Sequence, residues 1–187
     1  MKPSTSTSPI DANELAMLRT ARIVAAFINA LPPRSGELHG TSVELFFESG
    51  ASCSIDGAIL DVAPKEEACS LRIGKAMELD VWQRALPEGT GNPVIQTIDL
   101  YALWNEQGLE LLLAGPREVK FYRRTTNGPL SHVGDKTGFE VMGLYIPGSE
   151  AQNILLYASE DFPGDVVVVT GSPVSKFKNS SARTSAQ

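Results

Sequence analysis

Histidine and cysteine are scarce in this chain, two of each in 187 residues, and no apolar run approaches the roughly 18 residues of a membrane span. Cys53 and Cys69 fit neither a C-x-x-C motif nor a zinc spacing. They read as two small buried hydrophobes, with a disulfide as the alternative that a reducing cytosol disfavours. His39 and His132 lie far apart in turn-like surroundings, which gives a two-histidine metal site or a Ser–His pair little support. There is no G-x-S-x-G elbow and no P-loop. Gly89-Thr-Gly91 lacks the third glycine and the strand-then-helix setting of a dinucleotide loop. Asp56, Asp61, Asp80 and Asp99 could in principle supply a carboxylate pair, but strand edges and turns are the commoner use of aspartate. Residues 1–9 are polar and carry no apolar signal core, so a protein made and used inside a cell is expected. These gaps lead to the expectation of a non-enzyme with no cofactor, no metal, no membrane contact and no small-molecule substrate.

What is present suits one folded domain. A composition of 42% hydrophobic and 20% charged residues can bury a core, unlike that of a disordered chain. The net charge of −6 is unevenly spread. Residues 1–35 carry +2 and residues 172–187 carry +3, on a body of −11. Basic ends on an acidic body suit a protein whose ends, rather than its face, meet a polyanion; short tails with a few solubilising lysines would look the same.

Along the chain, residues 1–9 and 172–187 read as mobile tails rich in Ser, Thr, Ala and Pro. Residues 10–35 read as an N-terminal helical arm. Asp11 is a good N-cap, Glu14 completes a capping box, and Ile10 and Leu15 are placed for a hydrophobic staple. Met17, Ala21, Val24, Ile28 and Leu31 then recur at helical spacing, so an amphipathic helix over residues 11–31 is expected, stopped by Pro32-Pro33. It could pack on its own sheet or on a neighbouring subunit.

Residues 36–171 carry strand signals. Strands are expected over residues 42–48, 53–56, 58–62, 70–73, 77–82, 94–104, 109–114, 118–123 and 139–146, with Asp56-Gly57 as a hairpin turn and residues 86–93 as a loop. Residues 99–107 fit a helix as well. The strongest signal comes last: Ile154–Ala158 and residues 166–170 flank a turn on Pro163-Gly164-Asp165. Val166–Val169 has no polar alternation, which predicts cover on both faces. Phe46, Phe47, Trp82 and Trp104 are core candidates. Eight to ten short strands predict a mainly β fold, an antiparallel jelly roll or β-sandwich.

The densest basic stretch is Arg117-Glu-Val-Lys-Phe-Tyr-Arg-Arg124. A period of two puts Arg117, Val119, Phe121 and Arg123 on one face and Glu118, Lys120, Tyr122 and Arg124 on the other. Lys120, Tyr122 and Arg124 together are the mix of cation and aromatic that an RNA surface uses, and equally a solvated face above a core of Val119 and Phe121.

Taken in order, the β-rich part resembles the coat proteins of the bromovirus family of positive-strand RNA plant viruses, the brome mosaic type. The similarity is carried by Leu156-Tyr-Ala-Ser-Glu160, Pro163 and Val167-Val-Val169, and upstream by Leu71-Arg-Ile-Gly-Lys75, Leu86-Pro87, the leucine-rich residues 109–114 and Arg117-Glu-Val119. It spans about residues 70–170. The resemblance implies a jelly-roll capsid subunit that self-assembles around genomic RNA, located in the virion and, during assembly, in the host cytoplasm. Those coats begin with an Arg-rich arm, where this chain has Ser and Thr. RNA contacts would then fall to Lys2, Arg19, Arg22, Arg34, Lys120, Arg124, Lys176 and Lys178. Two other classes fit the composition: a non-enzymatic intracellular binding module of immunity or inhibitor type that uses its acidic surface, and a small enzyme built on scattered carboxylates.

Overall fold

A computed structural model describes residues 10–31, 36–63, 66–75, 96–125, 128–134, 143–148, 152–159 and 161–169. Among the described residues the fold is mainly β. In chain order the elements are α1 (Ala12–Thr20), β1 (Ile23–Ala30), β2 (Glu37–Phe47), β3 (Ser52–Ala63), β4 (Glu66–Lys75) and β5 (Gln96–Asp99). Then come α2 (Leu100–Glu106), α3 (Glu110–Ala114), β6 (Lys120–Thr125), β7 (Gly128–Gly134), β8 (Gly143–Ile146), β9 (Ile154–Ala158) and β10 (Val166–Val169). The expected strand 77–82, the loop 86–93, Trp82, Pro32-Pro33 and both tails lie outside the described residues.

The helix expected over residues 11–31 ends at Thr20, and its second half is strand β1. The start is as anticipated. Asp11 Oδ1 accepts from the amides of Asn13 (2.8 Å) and Glu14 (3.5 Å), and Ile10 and Leu15 are both buried in the core. The capping box is only half made, because the Asp11 amide donates to the Ile73 carbonyl of β4 at 3.0 Å. Beyond Thr20, Ile23, Ala26, Ile28 and Ala30 are buried while Val24 is exposed. That apolar stretch satisfies a period of two nearly as well as 3.6, and its β-branched and aromatic residues gain more by pairing with β2.

The ten strands hydrogen-bond into one curled antiparallel sheet. Its main path runs β4-β3-β2-β10-β9-β8-β6-β7, with β1 on the other side of β2 and β5 beside β1. Strand β2 belongs to both ends of the curl. Residues 37–40 pair with β10, whereas residues 42–46 pair with β3, and β1 follows the opposite edge. A strand shared between layers is how orthogonally packed sheets turn a corner. The curl lays β4 over β8 and β9, and the core fills the space between. Ile28, Leu38, Val43, Phe47, Ile55, Leu71, Phe121, Leu144, Leu156 and Val168 lie there.

Two glycines close the fork. Ideal Cβ atoms at Gly40 would meet the Asn29 carbonyl oxygen at 2.3 Å, and at Gly57 the Gly164 and Asp165 carbonyl oxygens at 2.5 Å. Gly57 is therefore not the expected hairpin turn. It pairs with Leu71 in mid-strand, where β3 leaves β2 and passes against the turn before β10. The β3–β4 reversal comes between Ala63 and Glu66 instead.

Two further expected strands differ. Within the expected strand 94–104 the described residues form the short β5 and then α2, capped by Asp99 Oδ1, which accepts from the Ala102 amide at 2.9 Å. The strand expected over residues 109–114 is instead helix α3, Glu110–Ala114 with Leu109 as its N-cap, as suits a leucine-rich segment without β-branched residues. The final hairpin stands as expected: β9 and β10 pair directly, and Val166–Val169 is buried on both faces. Its turn is closed by the Asp165 amide donating to the Phe162 carbonyl (3.0 Å) and the Phe162 amide donating to Ser159 Oγ (3.0 Å).

Candidate functional site

Of the eight cations expected to meet RNA, Lys2, Arg34, Lys176 and Lys178 lie outside the described residues, and Arg124 is placed only by its backbone in β6. Arg19 is half-buried in the last turn of α1, and Arg22 is exposed in the link to β1. Lys120 opens β6 beside Glu118, Nζ to Oε1 3.3 Å, so its charge is already matched. Val119 and Phe121 are buried, as a core face requires. The described members of the set therefore fall at the α1–β1 junction and at the start of β6. The two places meet where the Arg117 amide donates to the Arg19 carbonyl at 2.8 Å.

Arg117 itself is the residue that composition underrates. It lies in phase with Val119 and Phe121 and is buried with them, at 7% exposure. Among the described residues no carboxylate forms an ion pair with it. Its guanidinium donates through Nε to the Leu112 carbonyl, through Nη1 to that of Leu18, and through Nη2 to those of Ala21 (2.7 Å) and Leu113 (3.0 Å). Those carbonyls close the C-terminal turns of α1 and α3, where acceptors lack intrahelical partners and carry partial negative charge. Burial pulls the guanidinium pKa down to about 10, which leaves it charged at neutral pH. One side chain thus ties α1, α3 and the entry to β6 into a rigid corner. Arg19 and Arg22 are carried on that corner.

A second cluster lies on the outer face of β2, β3 and β4. Glu44 is buried at 7% exposure. Its Oε1 meets Ser42 Oγ at 2.9 Å and Ser54 Oγ at 3.1 Å, while Oε2 is buried with no hydrogen-bond partner. Ser54 Oγ also lies against Asp56 Oδ1, and Arg72 Nη2 donates to Asp56 Oδ2 at 2.9 Å. Ser54 has one hydroxyl hydrogen for two carboxyl oxygens. Ser54 can therefore donate fully to only one of Glu44 and Asp56 at a time. Burial, and secondarily the Asp56 charge, push the Glu44 pKa up, against the two serine contacts that lower it. A carboxyl whose folded pKa is raised supports the fold fully below its unfolded pKa, and that support is lost as pH rises through the folded value. Glu44→Gln is therefore expected to stabilise the protein by about 1 kcal/mol at pH 8 and to make no difference near pH 4. Urea unfolding midpoints across that range measure it; a loss of stability at pH 8 would contradict a Glu44 carboxyl whose pKa burial raises.

The two histidines lie in strands rather than turns. Antiparallel register places His39, Val167, Tyr157, Gly143, Tyr122 and His132 in one row across β2, β10, β9, β8, β6 and β7. They remain far apart, five strands from one another. His39 Nε2 faces Glu37 Oε2 at 3.6 Å, its ring meets Phe162 edge-on at 6.1 Å, and its buried Nδ1 has no partner. The Tyr157 hydroxyl donates to Glu37; burial first, then Glu37 and Asp161, push its pKa up. Cys53 is buried, and desolvation pushes its thiol up to about 12, so it is a packed hydrophobe and not a nucleophile. Cys53 and Cys69 are not joined by a disulfide, and Cys69 is half-buried. Among the described residues no helix is long and apolar enough to cross a membrane.

No family model matches this chain, and no curated protein or solved structure matches it either.

Proposed function

We propose that this protein is the coat subunit of a positive-strand RNA virus, a curled β body that self-assembles into a shell around genomic RNA. What supports the reading most is the position of the final strand pair. The β9–β10 hairpin, which carries the likeness to bromovirus-type coats, is buried on both faces of β10 and joins the two ends of a ten-stranded antiparallel sheet. The two layers of a jelly roll would correspond to the two ends of the curl, joined through β2. Repeated copies of such a body tile through closed symmetry, and its rigidity favours repeated interfaces over adaptable ones.

RNA would meet the α1–β1 corner through Arg19 and Arg22, together with Lys2, Arg34, Lys176 and Lys178 near the ends of the sequence. Few cations mean few phosphate contacts, each of which steepens the salt dependence. Purified protein examined by electron microscopy and sedimentation is expected to form closed particles, and filter binding to single-stranded RNA is expected to fall about tenfold between 50 and 200 mM salt. A stable monomer at all concentrations would remove the shell reading and favour the acidic binding module. Particles that retain no RNA in low salt would remove the packaging role alone.

A further inference from the structure

We propose that Glu44 and Asp56, with the hydroxyls of Ser42 and Ser54, form a calcium site on the outer face of β2 and β3. The inference goes beyond the shell reading and needs no second copy of the chain. It adds a metal where the scarcity of histidine and cysteine pointed to none. Antiparallel register sets Ser42 opposite Asp56 and Glu44 opposite Ser54. The four side chains therefore share one sheet face as a two-by-two block, their Cβ atoms within about 5–8 Å of one another. The carboxylates take one diagonal of the block and the hydroxyls take the other.

Glu44 is the observation that points to a ligand. The residue is buried, and its Oε2 has no hydrogen-bond partner, an arrangement that is costly for an acid unless something positive meets it. A second carboxylate lies one hydroxyl away, since Ser54 Oγ contacts both Glu44 Oε1 and Asp56 Oδ1. Arg72 reaches only Asp56, through Oδ2, so the three groups sum to −1 when both acids are ionised. Phe27 pairs across from Glu44, and its ring meets that of Phe46 edge-on at 6.2 Å. An apolar wall beside the carboxylate strengthens attraction for a cation. On the other side Gly74 pairs with Ser54, and open space lies where its side chain would be. That gap admits an ion with its waters. Oxygen ligands alone select a hard cation. Among the described residues no three His, Cys, Asp or Glu side chains gather as a zinc-type site would need. The Ser42 and Ser54 oxygens, 2.9 and 3.1 Å from Glu44 Oε1, are spaced as neighbouring ligands of one ion. When the ion binds, the hydroxyl hydrogens turn outward and lone pairs face it. So irregular a shell suits calcium better than magnesium, which demands a near-ideal octahedron.

The full chain, stripped with a chelator and held at pH 8, is expected to bind one calcium ion in calorimetric titration. With only two carboxylates the dissociation constant should be about 0.1–1 mM. Calcium at about 10 mM should then raise the thermal midpoint by about 3–8 °C. Glu44→Gln and Asp56→Asn each remove a ligand charge and should weaken binding by about tenfold or more. Ser54→Ala leaves the net charge unchanged and should weaken it by about three- to tenfold. Arg72→Gln removes a repelling neighbour and should tighten it by about threefold. Magnesium should bind about tenfold more weakly than calcium. Glutamine keeps the shape of Glu44, so that variant is expected to fold, which circular dichroism checks. Unchanged affinity in Ser54→Ala would overturn the site. So would an equal loss from Glu106→Gln, an exposed acid in α2, since it would mark general attraction to an acidic chain. No saturable binding up to about 10 mM, or an equal response to magnesium, would overturn it as well. The titration reads the single chain, so its failure leaves the shell reading standing, and a failure to form particles leaves the calcium site standing.

Discussion

Replacing Arg117 by methionine is expected to cost about 3–5 kcal/mol of folding stability, the largest loss from any single side chain among the described residues. Methionine keeps the volume of the aliphatic stem, so the loss reports on the hydrogen bonds and not on a cavity. Four carbonyls, of Leu18, Ala21, Leu112 and Leu113, then lose their donor at helix ends packed against the core. Burial keeps water from replacing all of them. Arg117→Lys retains the charge but brings one point of attachment to acceptors spread over two helices, and about half the loss is expected. Urea denaturation of the two variants beside the parent decides the matter. A methionine variant with an unchanged midpoint would mean that these carbonyls are satisfied without the guanidinium.

Gly57→Ala should be nearly as damaging, at about 2–4 kcal/mol. The added carbon would sit 2.5 Å from the carbonyl oxygens of Gly164 and Asp165, which are backbone atoms and cannot rotate aside. Either β3 or the hairpin turn must shift, and the turn is closed by its own hydrogen bonds. Gly164→Ala supplies the comparison. Gly164 has φ +96° but open space where its Cβ would lie, so only the dihedral penalty of about 1 kcal/mol applies. Thermal unfolding of the two alanine variants should therefore rank Gly57 well below Gly164. Equal losses would show that the fork between β3 and β10 has room to open.

The final hairpin was legible because its signals are local: a valine run, a β-rich partner and a Pro-Gly turn between them. The start of α1 was legible for the same reason, since Asp11 caps within three residues. What the sequence hid depends on distant partners. Residues 23–30 suit a helix or a strand by periodicity, and pairing with β2 and β5 decides for the strand. Gly57 has the local look of a turn, yet its need for a missing side chain comes from residues 164 and 165. Arg117 was placed on the correct face, but its carbonyl partners leave no mark in a sequence because every residue has one. Glu44 looks like an ordinary surface acid in β2 until Ser42, Ser54 and Asp56 surround it.

The double membership of β2 has a consequence for biosynthesis. His39 finds its neighbour Val167 only after almost the whole described body has left the ribosome. The meander from β1 to β4 can form early, but its β2 edge stays unzipped until β10 arrives. Such non-local closure makes maturation slow and late. Truncation just before β10 would leave a nascent product that chaperones hold, since no native seam remains for it to complete.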